Sequence, residues 1–363
     1  MKMPSIRTAS QVPLAALSIP AFVALALSIP WAITLGTADI AVGDVVEVIR
    51  SAITGRTARG VSDGTVNIVW ELRLPRVILA TVVGAGLAVV GVLMQALVRN
   101  PLADPYLLGV SSGASVGAAA VILFNAFGAR TLLGAQAISV AGFAGASMAM
   151  IIVYLLARST GGLSSHRMVL GGVAASYVFS AITSLLIFLG TPQAAGSVLF
   201  WMLGGLGRAA WGTLAIPVVL CIATFGYALM RSPWLNALAL GDELATSVGV
   251  PLARFRRELF AACALLTGVL VALSGAIGFV GLILPHVARL LVGADHRRVL
   301  TVAAPLGATF VIWCDVLART VVAPQVLPVG LITAMVGGPA FVVLLLRRSA
   351  DTSQQGRGGD PSP

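Results

Sequence analysis

Apolar residues along this chain come in long runs rather than in strand-like alternation. Measured against the roughly 20 residues that a helix needs to cross a hydrocarbon core, ten runs qualify: 14–36, 77–98, 107–125, 136–157, 168–190, 212–230, 257–276, 278–292, 301–319 and 328–346. The eighth is short, and several are interrupted by Gly or Pro, which a membrane helix tolerates where neighbours satisfy the freed backbone groups. Residues 191–211 are apolar enough to re-enter a bilayer without crossing it. The pattern predicts an all-α polytopic membrane protein of about ten transmembrane helices, one transmembrane domain over 1–348. The polar tail over 349–363, rich in Gly, Ser and Pro, is expected to be disordered. The first run follows a basic start, as in a signal peptide. Its length is that of a full span and no small-x-small cleavage site follows, so it is expected to remain as a helix.

Composition agrees with a bilayer as the solvent. The chain is 58% hydrophobic and 10% charged, with a mean hydropathy of +1.00. Its 40 glycines suit helices that pack backbone to backbone in lipid. The net charge of +10 does not point to nucleic acid, because the cations are scattered between apolar runs and form no stripe beside aromatics. They are better read as topology. With ten crossings both termini share a side, and 15 of the 23 Lys and Arg residues then fall on the segments of that side. By the positive-inside rule it is the cytoplasmic one, which makes this a multi-pass protein of the cell inner membrane with both ends inside. The long outer loop 37–76 is locally neutral, since Asp39, Asp44, Glu47, Asp63 and Glu71 offset its five arginines.

An internal repeat is visible in the chain itself. Gly84, Gly91 and Pro101 recur as Gly268, Gly275 and Pro285, each 184 residues later. The crossing count runs the first copy inward and the second outward, which predicts an inverted repeat of the kind transporters use.

Candidate chemistry is sparse. A nucleotide-binding P-loop needs a lysine to reach the phosphates, and the only lysine is Lys2, so the chain is not expected to be an enzyme or its own ATPase. No HExxH, GxSxG or metal-spaced His cluster occurs. His166, His286 and His296 lie far apart, and Cys221, Cys263 and Cys314 sit singly in apolar runs as packing residues. No catalytic or metal site is expected. Asp315 stands four residues before Arg319 inside a span, where the two can pair on one helix face; a structural ion pair is preferred over a proton relay. Asn100–Gly117, NPLADPYLLGVSSGASVG, gives a proline-broken entry and then Gly109, Gly113 and Gly117 at fourfold spacing, a helix-packing face. Ser111 and Ser112 could face a substrate path or bond their own backbone.

The longest polar interruption on the inner side, residues 231–257, has the grammar of two short helices. Leu235–Leu240 forms the first and Gly241 breaks it. Asp242 can cap the second, Glu243 favours its N-terminus, and Gly249 with Pro251 ends it. Leu240, Leu244 and Val248 then lie at helical spacing on a surface, which suits a docking face better than a solvated loop.

At this point the sequence resembles the FecCD-type permeases of binding-protein-dependent ABC importers for siderophores, haem and cobalamin, over nearly its whole length. The resemblance rests on LRLPR at Leu72–Arg76, MQALVRNPLADPYLLGVSSGAS at Met94–Ser115 and FWMLGGLG at Phe200–Gly207. It continues with LALGDELATSVGV at Leu238–Val250, GFVGLILPHVARLLVGADHR at Gly278–Arg297, and LPVGLITAMVGGP at Leu327–Pro339. It implies a homodimer, or a pair with a closely related permease subunit, of ten-helix chains around a central path. Two ATP-binding subunits would lie below and a soluble substrate receptor above. It implies no cofactor on this chain, with ATP and Mg used by the partner. It assigns Arg73, Arg76 and Arg319 to receptor docking, and the helix pair, with Leu240, Gly241, Asp242, Glu243, Leu244, Val248 and Gly249, to coupling with the ATPase. Ser164, Ser165 and His166 fall at the cytoplasmic gate, where His166 departs from the small polar residues usual there. The NPLADPYLLG wording is closer to ferric-siderophore members than to haem members. An ion-gradient-driven secondary carrier is the alternative, and a structural subunit of a larger complex the weaker one; the first lacks a visible ion site and the second leaves the coupling-like loop unexplained.

Overall fold

The computed structural model describes residues 13–36, 38–125, 133–159, 162–163 and 165–357. Each of the ten apolar runs lies on a helix. Among the described residues seven helices are long and apolar enough to cross a membrane: α1 (Leu14–Thr34), α3 (Asp63–Val98), α5 (Ala137–Ala157), α6 (Ser165–Leu189), α8 (Trp211–Met230), α11 (Leu252–Ser274) and α13 (His296–Thr320). The other three runs fall on shorter apolar pieces, α4 (Val110–Phe124), α12 (Val280–Val292) and the Val329–Val343 part of α14 (Val329–Arg357). By length and composition seven of the ten expected spans qualify among the described residues, and the third of the shorter pieces belongs to a helix of 29 residues.

Three segments differ from the sequence expectation. The outer loop is structured: α2 (Val42–Thr54) turns Val45, Val48 and Ser51 inward, and from Asp63 the chain is already helical, with a π-helical turn at Ile68–Arg73 leading into α3. Polar residues there mark a helix that projects beyond the apolar layer. Between α5 and α6 the chain forms a small antiparallel pair, β1 (Arg158–Ser159) with β2 (Gly162–Leu163), Arg158 opposite Leu163. At the C-terminus α14 continues to Arg357, into the stretch expected to be disordered. The expected re-entrant segment carries one short helix, α7 (Pro192–Met202). The coupling region holds α9 (Ser232–Leu240) and α10 (Asp242–Ser247).

The core is built around α3, whose residues from Leu74 to Leu97 are nearly all buried. It packs on α12 and α13, and reciprocally α11 packs on α4 and α5, as two related quartets α3–α6 and α11–α14 would. Gly84 of α3 lies against Gly307 and Ala308 of α13, and Gly268 of α11 lies against Phe143 and Ala146 of α5, so this pair holds equivalent places. The constant 184-residue offset does not survive further. Gly91 is inside α3 but Gly275 caps α11, and Pro101 is in a loop while Pro285 is inside α12. The reason is that residues 275–279 join α11 to α12 by a shorter path than residues 99–109 join α3 to α4.

Backbone contact is among the closest at Gly91, where an added Cβ would meet the carbonyl oxygen of Gly281 on α12. The neighbour is backbone and cannot turn aside. Gly91→Ala is expected to cost about 1–3 kcal/mol by overpacking and to lower the thermal midpoint of the detergent-purified protein; an unchanged midpoint would mean that the α3–α12 contact is looser than described.

Candidate functional site

The α9–α10 pair forms the first functional region. Ser232 opens α9 with Pro233 in its first turn, and the helix stops at Gly241, which has φ +124 and ψ 162. That conformation is open only to glycine, and it reverses the chain so that α10 can start at once. Gly249, at φ +84, ends the pair. Leu240, Leu244 and Val248 are 72%, 54% and 68% exposed, so the apolar surface expected from their spacing is present and uncovered in this single chain. Asp242 differs from expectation. Gly241 is the N-cap and no side chain caps α10; the Asp242 carboxylate instead pairs with Arg256 of α11 at 2.8 Å and with Arg99 at the end of α3 at 3.3 Å. Glu243 lies in the first turn of α10, where its charge favours the helix dipole. Asn236 of α9 accepts from the backbone N–H of His296 at 2.9 Å and donates to Asp295 at 2.7 Å. The helix pair is thus tied to α3, α11 and α13 at once.

A second region lies where two broken segments meet. After Asn100 the chain passes through a 3-10 turn, Pro105–Leu108, to reach α4. The Tyr106 hydroxyl donates to the carbonyl of Ile277 at 3.1 Å and accepts from its N–H at 3.0 Å, so the loop before α4 satisfies the backbone of the loop before α12. Asp104 accepts from the Tyr106 N–H at 2.8 Å, and burial pushes its carboxyl up to about 6 against that bond. Gly113 and Gly117 press on Gly145 and Ala141 of α5, the packing face read from the sequence, whereas Gly109 turns toward α6 at φ +73. Ser111 and Ser112 are half-buried. Of the gate candidates, Ser165 opens α6 and donates to the Leu97 carbonyl at 3.0 Å, His166 is exposed, and Ser164 lies outside the described residues.

The third region holds the three arginines that the resemblance assigns to receptor docking, and in this single chain they are turned inward. Arg73 and Arg319 are each 7% exposed. Arg73 donates to the carbonyls of Ile33, Thr34 and Ala38 at 2.6–2.8 Å. Arg319 donates to those of Ala32 and Leu35 at 3.0 Å. The C-terminus of α1 ends in carbonyls without intrahelical donors, and two guanidinium groups supply them. Arg76 is largely covered too, bonding Asp315 through Nε at 2.9 Å and Nη2 at 2.8 Å, while Arg319 Nε reaches the other oxygen of Asp315 at 3.0 Å. The Asp315–Arg319 pair expected along one helix face is therefore present and extended by Arg76 into a buried triad. Cys221, Cys263 and Cys314 are buried free thiols.

Sequence reasoning missed Gln95, Arg99, Tyr106 and Asn236. The available signal was polarity inside an apolar stretch, which is plain for Gln95; their partners lie 59 to 194 residues away and carry no sequence mark.

The broken segments at a buried junction and the exposed glycine-linked helix pair do not by themselves fix a role, and comparison with known proteins supplies it. The FecCD transport family pattern matches residues 24–347. The chain belongs to the FecCD transport family. It is 41% identical over 286 residues to the hemin transport system permease HmuU of Yersinia pestis, covering 78% of this chain and 85% of that protein. It is 42% identical over 284 residues to the vitamin B12 import system permease BtuC of Shigella sonnei, covering 77% and 83%. Among solved structures it superposes on a transporter described as of metal-chelate ABC type, in an inward-facing conformation, with a TM-score of 0.78 at 28% identity, covering 92% of this chain and 99% of that one. This FecCD chain is accordingly a multi-pass permease subunit of an ABC importer.

Proposed function

We propose that this FecCD permease carries a metal chelate inward, a ferric siderophore first and haem or cobalamin next, as a homodimer with two ATP-binding subunits and an extracytoplasmic receptor. Hemin and vitamin B12 are the cargoes in the names of its relatives, and both are large metal chelates. ATP and Mg act on the partner, and this chain supplies the path. Transport then requires only that outward-open and inward-open states bind cargo and partners differently. Both termini lie in the cytoplasm on this reading, which puts α9 and α10 on the ATPase side.

The observation that carries the reading is the exposed Leu240–Leu244–Val248 face on a glycine-reversed helix pair tied to three transmembrane helices. A docked ATPase moves the pair, and the pair moves α3, α11 and α13. Receptor docking through Arg73, Arg76 and Arg319 acts, in this state, by the outer shape these residues hold rather than by direct contacts of Arg73 and Arg319. Permease purified in mild detergent should retain a separate P-loop protein. The double substitution Leu240→Asp and Leu244→Asp should release it while leaving the permease folded; retention by the double variant would remove the docking role of this face.

A further inference from the structure

Beside the coupling pair, the ends of α3, α9, α12 and α13 line an open cavity of 220 Å³ whose polar lining is Gln95, Arg99, Asn100, Arg289 and His296. No carboxylate lines it among the described residues. Arg289 donates to the Gln95 side-chain oxygen, and Gln95 in turn donates toward the carbonyls of Gly281 and Leu282 at 3.4 and 3.3 Å. That guanidinium is aimed by neutral groups, and nothing on the cavity wall cancels its charge. Arg99 shares the carboxylate of Asp242 with Arg256, so it is not the sole cation on that carboxylate. The wall at His296 is the start of the 25-residue α13, whose N-terminal dipole is offset by its cap residue Asp295, so the positive character of the wall comes from the two arginines. His296 has its Nδ1 against the Asn236 carbonyl oxygen at 2.7 Å, which fixes the ring beside Arg289.

We propose that this cavity binds a phosphate group, supplied by the headgroup of an anionic phospholipid or by free phosphate. Two guanidinium forks and an amide match the tetrahedral acceptor set of a phosphate, which accepts several charge-assisted bonds at once. Basic pockets between helix ends at a membrane surface hold such headgroups. The charge excess does not depend on the transport reading; only its placement at the cytoplasmic surface does. Occupancy has a mechanical consequence, because phosphate competes with Asp242 for Arg99 and loosens the tie between α3 and the coupling pair.

Full-length permease in phosphatidylcholine vesicles carrying a photoactivatable phosphatidylglycerol analogue tests the site, with cross-links mapped by peptide mass spectrometry. Cross-links are expected in the peptides containing Arg99 and Arg289, competed by unlabelled phosphatidylglycerol. Arg99→Gln should weaken competition about fivefold, the effect of one surface cation on an anionic headgroup. Asp242→Asn, which frees Arg99, should strengthen it, so that one variant gains where the other loses. If inorganic phosphate displaces the analogue and phosphatidylglycerol does not compete, the site stands and its natural ligand is soluble. If a phosphatidylcholine analogue labels the same peptides equally, and neither substitution changes labelling, the proposal is overturned.

Discussion

Asp315→Ala will reduce the folded permease recovered from membranes more than any other single polar substitution in the chain. Asp315 is 1% exposed and is the carboxylate for both Arg76 and Arg319. Its removal leaves two guanidinium groups in a nearly dry site, and breaking a buried pair from one side costs about 3–5 kcal/mol, a large part of the stability of most domains. Arg50→Ala is the contrasting control, because Arg50 is 68% exposed in its pair with Glu47 and such pairs contribute about 0–1 kcal/mol. Size-exclusion profiles and thermal midpoints of the two purified variants separate the cases, and equal profiles would show that the triad is not structural. Arg73→Glu follows the same logic, since it sets a carboxylate against the carbonyls of Ile33, Thr34 and Ala38. A receptor with one acidic residue made basic should not rescue it; rescue would restore Arg73 as a direct docking residue.

Gly241→Val should abolish most uptake while leaving the permease folded. A Cβ at Gly241 would meet nothing within 4 Å, so the entire effect comes from φ +124. Forcing a side chain into that region costs about 1–3 kcal/mol, and α9 and α10 relieve it by changing their mutual angle. The apolar face then no longer fits its partner as one surface. Gly241→Ala should lose nearly as much as Gly241→Val, because the strain begins at Cβ and not at the branch. Uptake into reconstituted vesicles with the receptor and ATPase measures both, and full activity of either variant would contradict the coupling role of the turn.

What was legible in the sequence divides by how local its cause is. Apolar runs located every span, and Gly241, Gly249 and the spacing of Leu240, Leu244 and Val248 located the helix pair, because chain reversal and amphipathic spacing are settled within a few residues. The start of α3 was not legible: Asp63, Asn67, Glu71 and Arg73 read as loop, yet they belong to helical turns that stand outside the apolar layer. Arginine charge was legible and its direction was not. Arg73 and Arg76 look equally outward in the sequence, but carbonyls 35–40 residues away and a carboxylate 239 residues away turn both inward. Phe279 begins α12 at φ +68 without being a glycine, and local sequence preference gives no hint of it.

The α3 helix can also be considered as a lever. Near one end Arg76 pins it to α13 through Asp315, and at the other end Arg99 reaches Asp242 at 3.3 Å. At 1.5 Å per residue the arm between those two points is about 35 Å, so a tilt of about 5° around the Arg76 fulcrum carries the Arg99 end by about 3 Å. That displacement is comparable with the ion-pair distance itself. A rotation too small to open a visible gap at one face of the membrane is therefore enough to break or form a bond at the other.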